Sequence, residues 1–89
     1  MPHLSEDITV KNAQGLHARP AALFVQVTSR YNSSVSIEKD GEKVNGKSIM
    51  GLLTLGVQPG ATVTLEVEGD DATELFGELK ALLEKEIIE

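Results

Sequence analysis

His17 and Arg19 stand two residues apart in the run Gly15-Leu16-His17-Ala18-Arg19-Pro20-Ala21. Imidazole is commonly both neutral and nucleophilic near pH 7, and guanidinium is a planar fork suited to phosphate oxygens. Pro20 and the Ala-rich stretch behind it read as the first turn of a helix, where a missing N–H costs nothing. That start places His17 where unpaired backbone N–H groups and the positive end of the helix dipole converge. A nucleophilic ring beside groups that hold a phosphoryl dianion outlines a phosphohistidine site. The pattern also has a plainer reading, because a polar residue at a helix N-terminus is often only a cap.

A second helix start lies in Asn45-Gly46-Lys47-Ser48-Ile49-Met50-Gly51-Leu52-Leu53-Thr54-Leu55-Gly56. Ser48 suits the N-cap and Gly56 the C-terminal stop. The same hydroxyl could be phosphorylated by a kinase, and a phosphate there would face free N–H groups and could stabilise the helix. Ile49, Leu52 and Leu55 read as inward-facing.

Together the two runs resemble the histidine-containing phosphocarrier (HPr) family of the bacterial phosphotransferase system, in the family's order and about its separation. The resemblance implies that His17 accepts a phosphoryl group through Nδ1, that Arg19 contacts that group, and that the backbone N–H groups of Ala18 and Arg19 bind its oxygens. It implies that Ser48 is the target of a regulatory kinase/phosphorylase. It also implies a docking patch made of Ala22, Val25 and Gln26 on the first helix with Ile49, Met50 and Leu53 on the second. The implied partners are enzyme I, which is charged by phosphoenolpyruvate, the IIA domains of sugar transporters, and a transcriptional regulator. Purely regulatory phosphoserine modules of the family lack the active histidine, so His17 counts against that class. The Lys47-Ser48-Ile49-Met50 run leans away from the nitrogen-branch paralogue.

These sites need elements to hold them. The pattern predicts strands over 6–10, 34–38, 43–45 and 62–68, and helices over 18–30, 48–55 and 71–87. Asp40-Gly41 signals a tight hairpin. Leu23, Phe24, Val27 and Tyr31 should line the buried side of the first helix, with Ala22, Val25, Gln26 and Ser29 outside. Asp71 with Glu74 resembles a capping box, and Leu75, Phe76, Leu79, Leu82, Leu83 and Ile87 form the apolar stripe behind it. The order β-α-β-β-α-β-α is α+β. The family resemblance implies an open-faced β-sandwich, with three helices on one face of a four-stranded antiparallel sheet.

At 89 residues the chain reads as one domain, 1–89, close to the lower limit for a self-sufficient core. It has no cysteine, so packing must supply the stability. Its net charge of −6 argues against nucleic acid. The charge is uneven: residues 1–60 carry six bases against five acids, whereas 61–89 carry two against nine. The candidate sites therefore lie outside the acidic part. No apolar run is long enough for a bilayer span, and the polar start does not read as a signal peptide, so the expectation is a cytoplasmic monomer. Two distant histidines make no metal site, and no cofactor is implied. His3 reads as part of a disordered end, and Asp70-Asp71 as a helix start rather than a catalytic dyad. A small phosphatase would need more than Arg19 in its loop.

Overall fold

A computed structural model describes residues 1–86. Four strands, β1 (His3–Thr9), β2 (Ser34–Lys39), β3 (Glu42–Asn45) and β4 (Thr62–Glu68), alternate with helices α1 (Ala18–Thr28), α2 (Ile49–Leu55) and α3 (Ala72–Glu84) in the predicted order. The strands form one antiparallel sheet in the order β1-β4-β2-β3. Period-two alternation sends Ile8, Val35, Ile37, Val63, Leu65 and Val67 into the core beneath the helices. The other face carries Ser5, Asp7, Thr62, Thr64 and Glu66 and stays open, which is the expected open-faced sandwich. At the β2–β3 hairpin both Asp40 and Gly41 adopt positive φ, 53° and 83°, as a type I′ turn requires.

Four details depart from expectation. First, β1 begins at His3, so His3 is not a disordered end: its Nε2 lies 2.7 Å from a Glu66 carboxylate oxygen. That carboxylate also accepts hydrogen bonds from Ser36 Oγ at 3.2 Å and Lys43 Nζ at 2.9 Å. One β4 side chain thus touches all three other strands. The bond from Lys43, then that from His3, holds the Glu66 carboxyl down to about 2.

Second, α1 ends at Thr28, two residues early, and its buried line is Pro20, Ala21, Phe24 and Thr28. Thr28 escapes an apolar pattern because its hydroxyl is satisfied locally, donating to Val25 O at 2.9 Å. Leu23 is only half-buried, as are Val27 and Tyr31. Val25, expected outside, is half-buried and packs against the core. The inward line passes between the two predicted faces.

Third, Ile49 is 40% exposed, so only Leu52 and Leu55 of α2 face inward. Fourth, Asp71 makes no side-chain cap for α3. Its carboxylate accepts hydrogen bonds from the backbone N–H groups of Asn32 and Ser33 and from the Ser33 hydroxyl, and ties down the α1–β2 connection. Those bonds, the Ser33 hydroxyl first, hold the Asp71 carboxyl below its ordinary range. The stripe of α3 buries Leu75, Phe76, Leu79 and Leu83, with Leu82 half-buried; Ile87 lies outside the described residues.

Candidate functional site

The chain enters α1 through a loop that leaves little freedom. Gly15 has φ +62°, and a Cβ there would lie 2.3 Å from Val57 O, so glycine is required twice over. The next residue, Leu16, is buried and donates its N–H to that same Val57 O at 3.0 Å. His17 follows in extended backbone (φ −76°, ψ −173°) as the N-cap of α1. Its carbonyl accepts the Ala21 N–H at 2.9 Å, while its ring makes no capping bond and is exposed.

Pro20 occupies the third helical position and has no N–H. The first-turn donors without a helical acceptor are therefore those of Ala18 and Arg19. No acid lies in this first turn, so nothing on the helix itself offsets its partial positive charge. Arg19 is exposed, and its guanidinium forms no ion pair among the described residues. Among the described residues, the arrangement offers an imidazole and a guanidinium without partners, and two backbone donors, at one helix end. It can receive an anion and present a nucleophile to it.

Ser48 caps α2 in the ordinary sense. Its Oγ accepts the Gly51 N–H at 3.1 Å and its carbonyl accepts the Leu52 N–H at 3.1 Å. The residues before it hold it in place. Asn45 Oδ1 accepts the Lys47 N–H at 2.9 Å, Asn45 O accepts the Ser48 N–H at 3.1 Å, and Lys47 Nζ donates to Tyr31 O at 2.8 Å.

The two helices pack against each other. Among the predicted docking residues, Ile49, Met50 and Leu53 of α2 expose 40%, 73% and 39% of their surface. Gln26 is exposed, while Ala22 and Val25 are half-buried. Apolar exposure is therefore concentrated on α2 rather than shared equally. Among the described residues, no group of three or more His, Asp or Glu side chains could hold a metal ion. None of the described helices is long and apolar enough to cross a membrane.

Two participants in the loop were missed from sequence, Asn12 and Val57. Val57 acts through its backbone carbonyl, which leaves no trace in residue type. Asn12, an Asx-turn former three residues before a glycine, did leave a signal.

Fold and site define a small phosphocarrier-type open-faced sandwich. Residues 4–85 match the family model described as the PTS HPr component phosphorylation site, and the chain belongs to the HPr family. It is 52% identical over 83 residues to the HPr-like protein Crh of Halalkalibacterium halodurans, covering 93% of this chain and 99% of that one. The crystal structure of phosphocarrier protein HPr from Bacillus anthracis superposes with TM-score 0.89 at 42% identity, over 93% of this chain and 99% of the other. That of Bacillus subtilis Crh, a catabolite repression protein, aligns with TM-score 0.76 at 49% identity, over 92% and 94% of the two chains. The Crh structure is described as a dimer with a swapping domain, so the expectation of a monomer does not carry over from the family.

Proposed function

We propose that this chain is a phosphocarrier whose His17 receives a phosphoryl group from enzyme I and passes it to a IIA domain. The observation that carries the reading is the N-cap position of His17 with its ring exposed and making no capping bond. The Nδ1 lone pair forms a P–N bond as the donor's bond to phosphorus breaks. In the next step that P–N bond breaks and imidazole leaves. The N–H groups of Ala18 and Arg19 receive the equatorial oxygens, and the Arg19 fork offsets their charge. The partner supplies most of the catalysis, so the carrier needs only a ring held in place with donors beside it.

Ser48 is the regulatory position in this reading. A dianion on its Oγ would sit beside Ile49, Met50 and Leu53, an apolar surface fit for a partner. Docking would then require desolvating that charge, so phosphoserine weakens docking without unfolding the domain. The likeness to Crh, described as a catabolite repression protein, supports a regulatory role, and in this reading a kinase/phosphorylase and a transcriptional regulator are the partners that would act on Ser48. The setting is the cytoplasm, where phosphoenolpyruvate and these partners meet.

The test is a transfer and chase experiment. Phosphoenolpyruvate and catalytic enzyme I should place acid-labile phosphate on the chain, and adding a IIA domain should discharge it. Labelling without discharge would reduce the chain to a phosphorylated regulator, and no labelling would remove the carrier role.

A further inference from the structure

The segment that delivers His17 to α1 is tied down almost residue by residue. Val10 N–H donates to Ala61 O at 2.8 Å, Lys11 N–H to Leu83 O at 3.0 Å, and Ala13 N–H to Glu86 O at 3.0 Å. Leu16 N–H closes the series on Val57 O. Those four bonds reach other parts of the fold. Two further donors, Gln14 N–H and Gly15 N–H, both end on Asn12, on its side-chain Oδ1 at 2.8 Å and its backbone carbonyl at 3.0 Å. Asn12 is thus the residue that shapes the loop's tip from within.

Its side chain is also an anomaly. Asn12 is only 2% exposed, and its Nδ2 is buried without a hydrogen-bond partner among the described residues. A buried donor left unpaired is destabilising, and an apolar residue of similar volume avoids that penalty. Stability alone would therefore tolerate or prefer another residue at position 12. What a leucine cannot do is accept the Gln14 N–H and close the Asx turn.

We infer that Asn12 is a positioning residue for His17: its Oδ1 sets the turn over Gln14 and Gly15 that fixes where the imidazole stands at the head of α1. The inference rests on the proposed role of His17 and extends it to a residue that touches no phosphate. Transfer between proteins depends on presenting the ring at attacking distance and angle, and small misplacements there cost rate rather than binding.

The experiment uses the full chain with Asn12→Leu and Asn12→Ser, with thermal midpoints measured alongside phosphorylation by enzyme I. Asn12→Leu should lower kcat roughly ten- to hundredfold while KM for the carrier stays within about twofold. Its thermal midpoint should equal or exceed that of the parent. Asn12→Ser, which can still accept the Gln14 N–H, should recover part of the lost rate. Backbone order parameters at Leu16 and His17 should fall in the leucine variant and recover in the serine variant. An unchanged kcat, a rate loss that tracks a falling midpoint, or equal losses in both variants overturns the inference. If the parent chain is not phosphorylated at all, the carrier reading fails by itself. The order parameters then still decide the point, because unchanged order in Asn12→Leu means Asn12 does not position His17.

Discussion

All three helices in this molecule begin at a polar N-cap residue, and only Ser48, at the head of α2, uses its side chain as a cap; the sharpest contrast is with His17 at the head of α1. Ser48 turns its hydroxyl onto the Gly51 N–H and satisfies α2. His17 leaves its ring in solvent, so α1 starts with its side-chain cap unmade. A helix end that lacks this bond gives up on the order of 1 kcal/mol, and gains donors and a side chain free for a ligand. The contrast separates reactivity from stability more clearly than residue type does. In α2 the stabilising contact is already made, and phosphorylation would have to work around it. In α1 the contact is withheld, and the Ala18 and Arg19 N–H groups are left without a helical acceptor.

The strongest way to break the contrast is His17→Ala. It should abolish labelling by enzyme I, yet shift the unfolding free energy by less than about 0.5 kcal/mol, since no capping bond is lost. A large loss of stability in chemical denaturation would mean the ring is structural after all. Gly15→Ala comes next. The added Cβ meets Val57 O, and left-handed backbone alone costs an alanine about 1–3 kcal/mol. Denaturant titration should show at least that loss, with slower labelling because the loop that carries His17 must move.

The fold was largely legible because its signals are local. Alternation in Thr62–Glu68, the Asp40-Gly41 pair and the Gly56 stop each act within a few residues of themselves. So do the two motifs, whose helix starts lie where the sequence placed them. Two of the misreadings share a different cause: a partner far along the chain. His3 is held by Glu66, sixty-three residues away, and the Asp71 carboxylate is claimed by Asn32 and Ser33 rather than by its own helix. The buried line of α1 was misjudged because Thr28 hides its hydroxyl in a local bond. Within the candidate site, the N-cap positions of His17 and Ser48 were readable from type and spacing. Asn12 left only a local hint, an Asx-turn former three residues before Gly15, whereas its burial is a property of the fold.

Ser48→Ala sharpens the comparison from the other side. It removes a made bond and should cost about 1 kcal/mol of stability, while leaving phosphorylation of His17 at the parental rate. Genuine phosphoserine at that position should do the reverse, with weaker enzyme I affinity by titration calorimetry and an equal or higher thermal midpoint. The smallest effect is expected outside both helix ends. Glu66→Gln removes the carboxylate that reaches β1, β2 and β3, and should not change the transfer rate. Because the folded-state carboxyl is held at about 2, below its unfolded value of 4.5, its stabilisation is fully present above about pH 4.5 and is lost as pH falls toward 2. The variant should therefore show a flatter dependence of thermal midpoint on pH between 5 and 2 than the parent.

The central claim, that the head of α1 holds the reacting imidazole, is tested most directly by nitrogen NMR of the chain labelled at its two histidines. Phosphoenolpyruvate and catalytic enzyme I are added while both rings are followed. The account predicts that the His17 Nδ1 resonance moves to a phosphorylated position and returns on acid treatment, while the His3 ring is unchanged. A shift at His3, or phosphate that survives acid with the His17 ring untouched, would contradict it.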